Sequence, residues 1–97
     1  MRKKMTKDVK SILSKMPPEW NFFGFGSFFC SQGPFEDVDI VAVAPDDGEE
    51  SMRYYELLYA ELAVAREKYG IRFDLTMLTE VEFAQNPLRD MNNLQKL

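Results

Sequence analysis

The chain contains no histidine and only one cysteine, Cys30, and these two absences exclude several kinds of chemistry. Without histidine there is neither an imidazole general base nor a Cys/His zinc site. A single cysteine cannot form an internal disulfide, and Cys30 is expected to be a half-buried small hydrophobe because no histidine can activate it. No stretch approaches the ~20 apolar residues that span a bilayer, and the basic start lacks the apolar run of a signal peptide. We therefore expect a cytoplasmic protein with no membrane partner.

The composition is that of a globular protein, since 45% of the 97 residues are hydrophobic and 13% are aromatic. This length predicts one domain over residues 1–97 with one core, and no room for a separate acceptor-binding domain. Six aromatic residues lie close together and are expected to seed the core: Trp20, Phe22, Phe23, Phe25, Phe28 and Phe29.

Charge is distributed unevenly along the chain, whose net charge is −4. Residues 1–16 hold one acidic residue, Asp8, and six basic ones: Arg2, Lys3, Lys4, Lys7, Lys10 and Lys15. A basic N-terminal helix could contact nucleic acid, an acidic partner or the phosphates of a nucleotide. The simpler alternative is a solvated helix face whose lysines serve solubility.

Hydrophobic periodicity and turn residues predict alternating helices and strands. The predicted elements are a helix over Thr6–Met16, a strand over Trp20–Phe25, a helical turn from Ser27, a strand over Val38–Ala44, a helix over Glu49–Tyr69, a strand over Ile71–Leu78 and a helix from Glu80. Gly70 is expected to end the long helix, and Thr79 with Glu82 resembles a capping box. Pro87 should interrupt the last helix, and the tail Met91–Leu97 is expected to be helical or frayed. This order predicts an α+β fold, a three-stranded sheet covered by helices.

Two aspartates open the second predicted strand. Asp37 and Asp39 are two residues apart, so both point to one face, while Val38, Ile40 and Ala42 point to the other. Two adjacent carboxylates repel each other and are costly to bury unless a cation neutralises them. Oxygen-only ligands suit Mg²⁺ or Mn²⁺.

A third aspartate, Asp74, interrupts the apolar pattern of the last predicted strand. Arg72, Asp74 and Thr76 should lie on one face, opposite the apolar residues of the strand. If the two strands are neighbours, Asp74 can join the Asp37 and Asp39 pair. Three carboxylates can then hold two metal ions about 3.5–4 Å apart, as in phosphoryl transfer.

Gly26-Ser27, at the end of the first predicted strand, is suited to bind phosphate. Glycine lets the backbone approach a phosphate, and a serine at a helix N-terminus offers hydroxyl and N–H donors. Neither Gly-Ser nor Asp-x-Asp is specific alone. The combination of Gly26-Ser27, nine intervening residues, Asp37-Val38-Asp39 and a later Asp74 is more informative.

The stretch Phe25-Gly26-Ser27, Asp37-Val38-Asp39-Ile40 and the later Asp74 resembles the signature of the DNA polymerase beta-like nucleotidyltransferase superfamily, and within it the minimal nucleotidyltransferases. The resemblance implies a small mixed three-stranded sheet flanked by helices. It also implies an enzyme that moves an NMP group from NTP, most simply ATP, to an acceptor hydroxyl.

The resemblance assigns roles to individual residues of this chain. Gly26 and Ser27 would bind the triphosphate, Asp37 and Asp39 would bind both metals, and Asp74 would complete the metal site beside the acceptor. It further implies a helical HEPN-like partner protein, as in toxin–antitoxin pairs, while the small size favours such a partner or a homodimer.

The chain departs from the family pattern at one position, because relatives commonly carry an arginine shortly after Gly-Ser and this chain has none there. Arg72 could replace it as a phosphate ligand, or could form a surface ion pair. The three aspartates could also be purely structural, with Asp37 capping a turn, Asp39 on a solvated edge and Asp74 paired with Arg72. An inactive binding module or antitoxin subunit is therefore the alternative function.

Overall fold

The structure is a computed structural model that describes residues 2–30, 33–85 and 94–97. Within these residues the chain forms four helices and four strands. In order they are α1 (Arg2–Leu13), β1 (Asn21–Phe25), α2 (Ser27–Cys30), β2 (Asp37–Ala44), α3 (Glu49–Tyr69), β3 (Arg72–Thr79), α4 (Glu80–Ala84) and β4 (Gln95–Lys96). The predicted α+β class is confirmed.

The strands form one mixed sheet in the order β3-β2-β1-β4. β2 and β3 are parallel and are joined by α3, because parallel neighbours need a long crossover connection. β1 pairs with β2 and with β4 in antiparallel fashion. Among the described residues the sheet therefore has four strands, where the sequence predicted three.

The tail accounts for this difference. Gln95 pairs with Gly24, Lys96 pairs with Phe23, and the Leu97 N–H donates to the Phe22 carbonyl at 2.9 Å. The predicted helical tail is therefore wrong at residues 95–96, which form a short strand. Pro87 and the start of the predicted tail at Met91 lie outside the described residues.

The core lies on one face of the sheet, beneath α1 and α3. β2 contributes side chains at every second position from Val38 to Ala44, and these are fully buried. α1 contributes Met5, Val9 and Leu13 at four-residue intervals. α1 begins at Arg2, four residues earlier than predicted, because Met5 extends its buried stripe by one turn.

The long helix α3 has the predicted bounds. Gly70 takes the left-handed conformation with φ 65°, and its N–H donates to the Arg66 carbonyl at 2.8 Å, which ends the helix. Leu58 and Leu62 are buried. Met52 and Tyr59 lie at the same helical spacing as these residues, but they are 40% and 60% exposed.

The short helix α4 covers part of the opposite face of the sheet. Its capping box is confirmed, because the Thr79 hydroxyl accepts from the Glu82 N–H and the Thr79 N–H donates to the Glu82 carboxylate. Phe83 stacks on Phe23 with ring centroids 5.0 Å apart. In the part of the chain that the structure describes, no helix has the length and hydropathy needed to cross a membrane.

Candidate functional site

The three predicted aspartates lie on two adjacent strands of the sheet. Asp37 and Asp39 open β2, and Asp74 lies near the start of β3. β2 and β3 run parallel in a register that pairs Asp39 with Asp74 and Asp37 with Arg72. Because paired residues of neighbouring strands share a face, all three carboxylates lie on the face opposite α1 and α3. The two strands are neighbours, which is the condition on which Asp74 could join the Asp37 and Asp39 pair.

The carboxylates form a compact cluster, which we call the triad: Asp37, Asp39 and Asp74. One oxygen from each lies within 4.8 Å of the others, and each residue is partly buried. This spacing allows one divalent cation to be bound by several of them, and the donors are the oxygens that Mg²⁺ and Mn²⁺ prefer. The triad is thus an acidic cluster with the composition and the spacing of a metal site.

The electrostatics of the triad differ between its inner and outer members. Burial, followed by the charges of Asp37 and Asp74, raises the pKa of Asp39 from 3.8 to about 6. The Arg72 guanidinium lowers the pKa of Asp74 through a hydrogen bond from Nε to Oδ1 of 2.8 Å. Ionisation is therefore most unfavourable at Asp39, in the middle of the cluster, and a bound cation would make it favourable.

The sequence allowed a purely structural role for each aspartate, and the structure agrees with that role for Asp74 but not for Asp39. Asp74 does pair with Arg72, as that alternative held. Asp39 does not lie on a solvated edge, because β2 lies between β1 and β3 in the sheet. Arg72 is engaged in the surface ion pair, with its side chain 66% exposed.

The end of β1 brings Gly26 against the triad. Phe25 pairs with Asp39 in the sheet, so the following residue lies beside that carboxylate. Gly26 has φ 80°, and a Cβ atom built on it would lie 2.7 Å from Asp39 Oδ2. Any larger residue would strain the backbone at this φ and would require the Asp39 carboxylate to shift. Ser27 follows at the start of α2 and is exposed.

Arg2 contacts the segment that joins Ser27 to β2, and the sequence did not predict these contacts. Its Nη1 donates to the Phe28 carbonyl at 2.6 Å and its Nη2 donates to the Gly33 carbonyl. The guanidinium also lies over the rings of Phe28 and Phe35, with centroids 5.3 and 4.7 Å away. Arg2 thus ties α1 to both ends of the segment between Ser27 and β2. The only feature of the sequence that pointed to a special role for Arg2 is that it is the one arginine among the N-terminal lysines.

Two surface recesses lined by described residues lie away from the centre of the triad. One, of about 650 Å³, runs along the N-terminal half of α3 between Glu49 and Leu57. A recess of about 450 Å³ lies at the triad end of the sheet and is lined in part by Glu36, Gly70 and Arg72. Open surface at the triad suits a large, hydrated phosphate ligand, and the volume of a recess alone does not identify a site.

Comparisons with known proteins support the fold. No family model and no curated protein matches the chain. A solved structure described as "Crystal structure of putative nucleotidyltransferase" matches with a TM-score of 0.55 and 17% sequence identity, over 95% of this chain and 96% of that one. The chain therefore has the nucleotidyltransferase fold, and its triad could bind a metal ion.

Proposed function

We propose that this protein is a metal-dependent nucleotidyltransferase. The observation that carries the proposal is the meeting of three carboxylates within 4.8 Å at the start of two parallel strands. The adjacent backbone at Gly26 lies close to Asp39 at a positive φ that favours glycine. The nucleotidyltransferase fold of the chain supports the same function.

In the proposed reaction an acceptor hydroxyl displaces pyrophosphate from a nucleoside triphosphate. The acceptor oxygen bonds to the α-phosphorus, the bond from that phosphorus to the bridging oxygen breaks, and the hydroxyl proton passes to water. A bound Mg²⁺ or Mn²⁺ supplies positive charge that offsets the triphosphate and the carboxylates. Catalysis then rests mainly on positioning and charge neutralisation.

The residues of the chain have distinct roles in this proposal. Asp37 and Asp39, on one strand, hold the metal, and Asp74 completes the set from the neighbouring strand. The Gly26 backbone and the Ser27 hydroxyl and N–H donate hydrogen bonds to the phosphates. Arg72 holds Asp74 ionised through its hydrogen bond, which lowers the pKa of that carboxyl.

The first experiment is calorimetric titration with Mg²⁺ and a non-hydrolysable ATP analogue. Wild type should bind the analogue only with metal, and Asp39→Asn should abolish this binding. Asp47→Asn is the matched control, because Asp47 is an exposed residue of the β2–α3 turn and its loss changes the net charge equally. Equal binding by wild type and Asp39→Asn would contradict the proposal.

A non-catalytic binding module is the second candidate function. The observation that favours it is the engagement of Arg72 with Asp74, together with the lack of a cation directly after Ser27. The two functions can be distinguished by incubating the protein and candidate acceptors with ATP that is labelled at the α- or the γ-phosphate. Transfer of the α-label alone, with release of pyrophosphate, supports the enzyme, whereas binding without any transfer supports the module.

The acceptor and the partner stay predictions. α1 presents Lys3, Lys4, Lys7 and Lys10 to solvent, which is compatible with contact to a nucleic acid or with a solvated face. A HEPN-like protein, the use of ATP and a cytoplasmic location likewise rest on the resemblance and the composition.

A further inference from the structure

The outer edge of β3 is open. β3 stands first in the order β3-β2-β1-β4, so within residues 2–30, 33–85 and 94–97 it pairs only with β2. It is eight residues long, contains neither proline nor lysine, and its two charges, Arg72 and Asp74, pair with each other. Natural proteins often protect an edge strand with lysine or proline or keep it short. β3 lacks both residues, is not short, and offers backbone donors and acceptors to another strand.

An apolar surface runs beside this edge, along one side of α3. It consists of Met52, Tyr55, Tyr59 and Ala63, which recur at helical spacing, and we call it the edge strip. Tyr59 is 60% exposed and Met52 is 40% exposed. Tyr59 and Ala63 line one small recess together with Phe73 of β3, so the strip adjoins the open strand.

We propose that the β3 edge and the edge strip form a two-fold interface between two copies of this chain. A two-fold axis perpendicular to the sheet pairs β3 with its own copy in antiparallel fashion and joins the two sheets into one. It also brings α3 beside its copy on the same face of the joined sheet. Neighbouring strands are about 4.8 Å apart and packed helices about 8–10 Å apart, so both contacts can form together.

Charge and side-chain size fit a second copy. Tyr59 is the middle residue of α3, so an axis near Tyr59 places Tyr55 opposite Ala63 of the other copy, a large residue against a small one. The same axis places the acidic first turn of α3 opposite the basic last turn of its copy. The residues concerned are Glu49 in the first turn and Arg66 in the last, and Arg66 lines the small recess beside Tyr59 and Phe73.

The interface leaves the triad accessible. The carboxylates lie on the sheet face opposite α3, and the pairing uses the edge and the α3 face. Each copy therefore keeps its own triad, and the two triads share one face of the joined sheet. The inference does not depend on the proposed function, and the assembly forms whether or not the triad is active.

The first test is the molar mass of the protein by light scattering and sedimentation over a range of concentrations. Wild type should reach the mass of two 11.3 kDa chains. Tyr59→Glu should remain a monomer, because it buries two like charges near the axis. Val64→Glu is the matched control, since Val64 is also exposed, at 68%, but lies on another side of α3, and it should dimerise like wild type.

A wild type that stays monomeric at all concentrations would overturn the proposal, as would equal loss of dimer in both variants. A complex formed only with a different protein would overturn it as well.

Cross-linking decides the matter if Tyr59→Glu does not fold. In a Cys30→Ser background, Tyr59→Cys places one thiol near its own copy across the axis, and Val64→Cys places it away. A short bismaleimide reagent should yield a covalent dimer of the first variant and at least tenfold less of the second. Equal yields, or no covalent dimer of Tyr59→Cys, would contradict the two-fold arrangement.

Discussion

Replacing Asp39 by asparagine should make the metal-free protein more stable and the metal-loaded protein less stable than wild type. Asp39 has a pKa of about 6 in the folded protein, against an ordinary value of 3.8, because it is desolvated beside Asp37 and Asp74. The folded state therefore disfavours ionised Asp39. The destabilisation is absent below pH 3.8, grows between pH 3.8 and 6, and is complete above pH 6.

The magnitude follows from this difference in pKa. One pKa unit is 1.36 kcal/mol, so the full difference corresponds to about 3 kcal/mol. Asp39 is only partly buried, and solvent screening reduces the effect, so we expect about 1 kcal/mol. In a domain of this size that is a rise of roughly 4–8 °C in Tm for Asp39→Asn at pH 7.5 in EDTA.

Metal should reverse the order of stability. A ligand at 100 times its Kd stabilises the folded state by about 2.7 kcal/mol. Wild type with excess Mg²⁺ or Mn²⁺ should gain up to this amount, whereas Asp39→Asn should gain little. Urea unfolding can be followed by the fluorescence of Trp20, the single tryptophan of the chain, which is 5% exposed.

Asp47→Asn serves as the control with the same change of charge, and it should show no reversal. The reasoning would be refuted if Asp39→Asn were less stable than wild type in EDTA at pH 7.5. Equal stabilisation of wild type and Asp39→Asn by metal would refute it equally.

Three further changes test the site and the fold. Gly26→Ala forces a Cβ within 2.7 Å of Asp39 Oδ2 at φ 80°. It should lower the free energy of unfolding by about 1–3 kcal/mol and abolish binding of the ATP analogue. Stability and binding equal to those of wild type would contradict the close approach of Gly26 to Asp39. Leu58→Ala replaces a side chain that is 1% exposed and should lower the free energy of unfolding by about 2–5 kcal/mol in urea titrations. Leu57→Ala is the control, because Leu57 is 52% exposed, and it should lower the free energy of unfolding by less than about 0.5 kcal/mol. Similar losses in the two variants would place the core elsewhere. Asp8→Asn removes a carboxylate that accepts hydrogen bonds from Lys68 and Tyr69 of α3, and these bonds lower the pKa of Asp8. The variant should therefore have a lower Tm than wild type at neutral pH, and this difference should vanish as the pH falls below 3.8. A difference in Tm that does not change with pH would exclude this pair of bonds.

Local signals in the sequence were sufficient for much of the fold. Both ends of α3 follow from apolar periodicity and from Gly70, whose left-handed conformation suits glycine. The capping box at Thr79 depends on residues three apart and is fixed by the local chain. The faces of β2 and β3 follow from the period of two. These predictions hold because each rests on interactions between near neighbours.

Non-local contacts account for what the sequence did not predict. Gln95 and Lys96 carry no strand pattern, and they form β4 because β1 offers an open edge. Arg2 acts on carbonyls 26 and 31 residues away, which no local pattern reveals. Met52 and Tyr59 share the periodicity of the buried stripe, and they are exposed because the sheet under α3 ends at β3.

The position of the triad is itself an argument for a cationic ligand. A domain of 97 residues is stable by only about 5–15 kcal/mol, so about 1 kcal/mol lost at Asp39 is a substantial fraction. Asn at the same position would keep the shape and remove the repulsion. Arg72 forms its ion pair with Asp74, and no described basic side chain forms an ion pair with Asp39. An unpaired central carboxylate between two others destabilises the free protein, but it becomes favourable once the three carboxylates share a divalent cation. The change in stability caused by Asp39→Asn should therefore have opposite signs without and with metal.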